Sequence, residues 1–459
     1  MPFIGIDLGT SYLKGAVLDP EQCRVERILR RPFPAPVSGG AARRMEIDPA
    51  TIVAATAALI AELAPPAAPC DGLVVCGQMS SLVLTDARGA ARSNCIGWRD
   101  QRALEPHPDG TGSYFDRLFA RITAAQRQEM GSELKAGGPA AFLFWLKERG
   151  ELAPGLIPVS LGDFVAGALC GEAPSSEATN GAAFDLLNLR SMDWDRGAIE
   201  ALGLERLRFP PIRRLGEIWG WMETPAGRIP CFSPIGDYQC ALAGALLEED
   251  EISLNLSTGS QVGRLTPAFT PGAYQTRPFF DGRFANVVTH LPAGRSLDVL
   301  VNLLTELGRA QGIPAADPWS YIARVAEMAE GTDLRVDTGF FPGPCGGNGR
   351  IENIHEHNLS VGSLFRAAFE NMAQNYAAQS RRIWPEGGWR AVVFSGGLAH
   401  KLPALREIVA AHMPGGWRLS PMAEDTMLGL LAVARVCAGH SGSMRQALRE
   451  IRARLAATA

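Results

Sequence analysis

A chain of 459 residues is longer than one hydrophobic core sustains, so two domains are expected; 46% apolar and 20% charged residues is a globular balance. The 44 basic and 48 acidic residues leave a net charge of −4, which gives no electrostatic reason to expect nucleic acid or a membrane as partner. The longest apolar run, 140–146, is far short of a membrane span and the N-terminus shows no signal-peptide pattern. Nine scattered cysteines without a CxxC pair read as reduced thiols, so a cytoplasmic location is expected.

The opening stretch, IGIDLGTSYLKGAVLD (4–19), sets two apolar runs about a glycine-containing turn and predicts a β-hairpin. Gly9 lets backbone approach a ligand, Thr10 and Ser11 offer hydroxyl and amide donors, Lys14 offers a compact positive charge, and Asp7 can hold a metal. Alone, the stretch fits a plain hairpin as well as a phosphate grip. Only 4 of the 44 basic residues are lysine (Lys14, Lys135, Lys147 and Lys401), and that scarcity favours a role for Lys14. Neither a P-loop nor a dinucleotide fingerprint is present.

Residues 48–64 predict a helix capped by Asp48 with Pro49 in its first turn, and 71–86 two strands broken at Gly77-Gln78. A polar loop spans 96–105, helical patterns dominate 115–170, and a short helix is expected near 194–202. The segments 209–221 and 229–237, rich in proline and glycine, read as a domain junction. Beyond it, ISLNLSTGSQVGRL (252–265) repeats the opening logic: alternating apolar residues, then Ser-Thr-Gly-Ser, with Asn255 where the first copy has Asp7. Two related halves facing each other are therefore expected. A long amphipathic helix at 363–383, a strand running into Gly396-Gly397, and a helix at 402–413 complete the pattern.

Asp237 precedes a helical run and fits a helix cap; at a domain junction it also fits a general base taking the proton of an attacking hydroxyl. The turn 256–262 could face the same phosphates from the other side. Gly396-Gly397 could admit a flat adenosine or form a simple turn. His355-Glu356-His357 lacks a third ligand and reads as surface loop.

DLGTSYLK, GQM with LVLTD (77–86), WRDQR (98–102), PAAFLFWLKE (139–148), Trp194-Asp195, GDYQCALAGA (236–245), STGS, RAAFENMAQN (366–375), FSGGLAHKLPALREIVA (394–410) and EDTMLGLLAVA (424–434) follow one another along nearly the whole chain. In that order they resemble the FGGY carbohydrate kinases of the actin-like, ribonuclease H-like ATPase superfamily. The resemblance implies an α/β fold of two actin-like domains with an interdomain cleft, 1–232 mainly for sugar and 233–459 mainly for nucleotide. It implies ATP- and Mg²⁺-dependent phosphorylation of a sugar or polyol, with ATP and a small-molecule sugar as partners and a homodimer as one assembly open to it. Carried over, Asp237 matches the catalytic base and, with Asp7, the metal site. Thr10, Ser11 and Lys14 match the first phosphate segment, Thr258 and Gly259 the second, and Gly294, Gly396 and Gly397 the nucleotide contacts. Met79, Ser80, Trp98 and Asp100 fall where the family lines its sugar pocket.

Within the family, GD-x-QC, the LNLST turn, RPFFDG (277–282) and 358–375 look like sedoheptulokinases, which implies a seven-carbon ketose. The chain departs from related ketose kinases at Ser80, where histidine is common, at Phe142, where lysine is common, and at 340–353, which lacks GERxP. These departures bear on which sugar is taken and leave the kinase positions intact.

Overall fold

The computed structural model describes residues 1–39, 41, 43–64, 69–224, 227–313, 316–329 and 331–458. The opening stretch forms the expected hairpin. Phe3–Leu8 (β1) is buried along its whole length and pairs antiparallel with Tyr12–Asp19 (β2), which pairs in turn with Arg24–Pro32 (β3). Helix Pro49–Leu63 then crosses over. The Asp48 side chain accepts from Ala50 N–H at its N-terminus, and Ile52, Leu59, Ile60 and Leu63 cover one sheet face. The crossover returns the chain to Gly72–Gly77 (β4), parallel to β1.

Ile218–Thr224 (β5) and Gly227–Phe232 (β6) complete the order β5-β6-β4-β1-β2-β3, and the short strand Ile235–Gly236 also pairs with β4. The stretches expected as a junction, 209–221 and 229–237, thus supply strands of the first sheet. Gly220 is accommodated by a register shift between Ile218 and Gly220, and Pro230 lies in β6, which pairs with β4 only at Cys231↔Leu73.

The second sheet repeats the plan. Glu251–Asn255 (β7) pairs antiparallel with Ser260–Thr266 (β8) and parallel with Ala391–Ser395 (β11), reached through helices; Gln275–Pro278 (β9), Phe284–Leu291 (β10) and Gly416–Leu419 (β12) give the order β9-β10-β8-β7-β11-β12. Two sheets, each with a central strand flanked by its hairpin partner and a parallel crossover strand, make the duplicated actin-like, ribonuclease H-like architecture.

Between the sheets lie two helices, Asp237–Gly244 (α1) and Asp425–Cys437 (α4). Their apolar residues share a core with Val74 and Cys76 of the first sheet and Leu265, Ala285 and Val393 of the second. Outside the second sheet, Gly294–Ala310 (α2) and Val361–Ile383 (α3) close the other face. A separate cluster around helix Pro139–Glu148, apolar all round and buried, caps the first lobe. No helix among the described residues is long and apolar enough to cross a membrane.

Candidate active site

Asp7, one residue from the end of β1, is the only acid in an otherwise apolar strand and is buried. Its Oδ2 accepts from Thr426 Oγ1 at 2.8 Å and lies 3.6 Å from Lys14 Nζ, its cross-strand partner; its Oδ1 is buried without a hydrogen-bond partner. Burial raises the Asp7 pKa against the pull of Lys14. Lys14 reaches further, to Glu424 Oε2 at 2.8 Å.

Asp237 opens α1, where the chain leaves the short strand Ile235–Gly236, so both lobes position it. Its carboxyl is pushed up to about 7, first by burial and then by the charge of Asp7. A carboxylate that titrates near neutrality can accept a proton and give it up again. In the residues that follow it, Tyr238 Oη and Gln239 Oε1 are buried without hydrogen-bond partners. The Arg277 guanidinium stacks on the Tyr238 ring at 4.7 Å and opposes the rise of the Asp237 pKa.

The second hydroxyl turn follows β7. Ser257 Oγ donates to Asn255 Oδ1 at 2.8 Å, and Asn255 ends its strand as Asp7 nearly ends β1. Arg295 N–H donates to Thr258 O at 2.8 Å and Gly294 N–H to Ser257 O at 3.0 Å, which ties the turn to the start of α2. Gly396 has φ +85°, and a Cβ there would stand 2.5 Å from Leu256 O, so only glycine fits. At Gly259 and Gly397 an added Cβ would meet nothing within 4 Å; these two face open space.

The space at Gly397 is a cleft of about 670 Å³ lined by Ser257, Thr258, Gly294, Trp319, Gly397 and Lys401, among others, the size and mixed apolar–polar lining of a cofactor site. Of the nucleotide positions expected from sequence in the second lobe, Thr258, Gly294 and Gly397 line this cleft, and Gly259 and Gly396 are their chain neighbours. Trp319 carried no sequence signal. Lys401 did, as one of four lysines in an arginine-rich chain.

The positions expected to line a sugar pocket lie on the first lobe. Trp98 Nε1 donates to Thr10 Oγ1 at 3.0 Å, which joins that pocket to the opening turn, while Ser11 is exposed at its tip. Met79 lies against Gly236, the residue before Asp237: a Cβ there would be 3.1 Å from its sulfur. Ser80 is buried with φ +61°, a strained conformation for a non-glycine residue. Asp100 is used otherwise: it is fully buried and accepts from Met45 N–H at 2.7 Å and from Arg102 Nε at 2.9 Å and Nη2 at 2.8 Å. Both oxygens are occupied in shaping the loop that carries Trp98.

The model for the N-terminal domain of the FGGY family of carbohydrate kinases matches residues 3–244. Glycerol kinase 2 of Streptomyces avermitilis is 29% identical over 188 residues, which cover 38% of this chain and 35% of that protein. The chain thus spans about a third of the length of the curated relatives it matches, 29% to 38% for the first three. In fold the likeness runs end to end. The ligand-bound xylulose kinase of Lactobacillus acidophilus superposes with a TM-score of 0.81 at 18% identity, covering 97% of this chain and 91% of that one. Plasmodium falciparum glycerol kinase with ADP gives 0.80 at 15% identity, covering 98% and 92%. With its own family model covering more than half of the sequence, the chain belongs to the FGGY family of carbohydrate kinases.

Proposed function

We propose that the protein is an ATP- and Mg²⁺-dependent carbohydrate kinase, with the terminal primary hydroxyl of sedoheptulose as the leading acceptor. One observation carries the reading: Asp237, its carboxyl pushed up to about 7, stands where the lobes meet and feels the charge of buried Asp7, with a hydroxyl turn following the central strand of each sheet. The first lobe, 1–232, takes mainly the sugar, and 233–459 mainly the nucleotide, as the lining of the cleft at Gly397 supports. Sugar and ATP are the partners, and a homodimer is the assembly to test.

Asp237 takes the proton of the acceptor hydroxyl as its oxygen attacks the terminal phosphorus of ATP and the bond to the ADP oxygen breaks. Lys14 and backbone amides of the turns at Thr10–Ser11 and Thr258–Gly259 offset charge on the transferring phosphoryl group. The unpartnered Oδ1 of Asp7 and the neighbouring Asp237 fit a divalent cation that keeps most of its ligands as water and phosphate oxygens. When bound there, Mg²⁺ supplies charge neutralisation for the phosphates. Closure of the lobes excludes water, which would otherwise hydrolyse ATP.

The seven-carbon ketose rests on the sedoheptulokinase-like segments at 236–240, 254–258, 277–282 and 358–375. A coupled ADP-release assay over sedoheptulose, ribulose, xylulose, gluconate and glycerol tests the reading. ADP release is expected to depend on sugar and to be fastest with sedoheptulose. Release that no acceptor stimulates sinks the kinase reading; faster turnover of another acceptor moves the substrate.

A further inference from the structure

The strand register sets Asp7 opposite Lys14 and Lys14 opposite Arg30. Directly paired residues share a sheet face, so an acid and two bases stand in one row across β1, β2 and β3. Two adjacent cations repel, and a lysine stem left alone samples many rotamers. Neither happens here. Glu424, just ahead of α4, bridges the pair, with Oε2 2.8 Å from Lys14 Nζ and its other oxygen on Arg30. Two residues on, Thr426 holds Asp7. A segment from near the end of the chain thus clamps the acid and the base of the opening hairpin together.

Glu424 is largely buried, whereas Lys14 keeps about a quarter of its side chain exposed. The carboxylate is therefore held within the protein while the ammonium stays in reach of solvent. A surface ion pair would stabilise little. A bridged one, packed over the row that opens onto the proposed phosphate site, sets direction.

We propose that Glu424 is a positioning residue for phosphoryl transfer: it neutralises the Lys14–Arg30 pair and fixes the Lys14 ammonium beside Asp7, aimed at the phosphate. This rests on the kinase reading above. Glu424 does not touch the reacting atoms and acts only through Lys14.

A double-mutant cycle tests it, since residues that act through one another are non-additive. Glu424→Gln keeps the shape and removes the charge; kcat is expected to fall roughly tenfold to a hundredfold with sugar KM unchanged. Glu424→Asp should recover part of the loss. In a Lys14→Met background the same Glu424→Gln change should cost nothing more. Equilibrium affinity for a non-hydrolysable ATP analogue should follow the same pattern, weakened by Glu424→Gln only when Lys14 is present. An unchanged kcat, or the same loss in both backgrounds, overturns the proposal, the latter because it marks a merely structural role. The binding cycle needs no turnover, so its failure is separate from that of the kinase reading, which sugar-independent ADP release by the unmodified protein alone decides.

Discussion

Asp237 shows what a residue's surroundings add to its identity. In sequence it is an acid before a helix, which reads first as a cap and also fits a base. In the structure it does not cap α1 with its side chain, since it is itself the first helical residue. Burial and Asp7 push it up to about 7. The sign for activity follows: the proposed base works ionised, so kcat/KM should rise with pH through about 7 and fall away below it. Asp237→Asn should remove that acid limb and lower kcat by about a hundredfold to ten-thousandfold, while ATP analogue binding persists. A variant that keeps most of its kinase activity refutes the assignment. Gly396 makes a second case. Its φ of +85° and the carbonyl 2.5 Å from a would-be Cβ predict that Gly396→Ala strains the turn beside the proposed nucleotide cleft, weakening ATP analogue binding in a calorimetric titration. Asp100 marks the limit of such reading: residue type and position gave no hint that Arg102 and Met45 already occupy its carboxylate.

At the scale of elements, period and punctuation were legible where each element is simple. The opening hairpin, the helix after Asp48, the Ser-Thr-Gly-Ser repeat and the helix at 361–383 stand where alternation, caps and apolar spacing put them. The strands at 218–224 and 227–232 were not, because Gly220 and Pro230 sit in an outer hairpin joined to β4 by the single pair Cys231↔Leu73, where such residues look like a linker. Nor was the crossing of α1 and α4, which brings residues 180 or more apart into contact. Backbones touch there: a Cβ on Gly429 would lie 2.0 Å from Cys240 O, and one on Gly244 1.7 Å from Asp425 O. Neither neighbour is a flexible side chain that can swing away. Gly429→Ala should therefore force the helices apart and destabilise the protein by about 1–3 kcal/mol or more, read as a lower midpoint in thermal or denaturant unfolding. Because α1 begins at Asp237 and α4 carries Thr426 to Asp7, kcat should fall with it. Unchanged stability would show that the crossing relaxes at no cost.

For the molecule as a whole, the two lobes are joined by α1 and α4 and also by an ion cluster no local pattern announces. Glu133, buried in a loop of the first lobe, pairs with Arg277 on β9 of the second; Lys135 Nζ lies 3.4 Å from it, and Gln275 Nε2 donates to it at 3.2 Å. Burial alone would raise the Glu133 pKa, but Arg277 and Lys135 together hold it below the ordinary value, so the carboxylate is ionised at neutral pH. Arg277 also faces Asp237 and lowers its pKa, which links the clasp between lobes to the proposed base. Glu133→Gln removes one charge and leaves the buried Arg277 without its carboxylate partner, while Lys135 keeps Asp185 at 3.3 Å. Breaking a buried pair from one side typically costs about 3–5 kcal/mol, so the unfolding midpoint should drop. A second readout separates electrostatics from simple loosening. With Glu133 neutral, Arg277 is no longer offset and the potential at Asp237 becomes more positive. The Asp237 carboxylate is then favoured, its pKa falls, and the acid limb of kcat/KM moves to lower pH than in the unmodified protein. If stability drops while that limb stays in place, the clasp holds the lobes together without tuning the base, and the electrostatic link between the two is wrong.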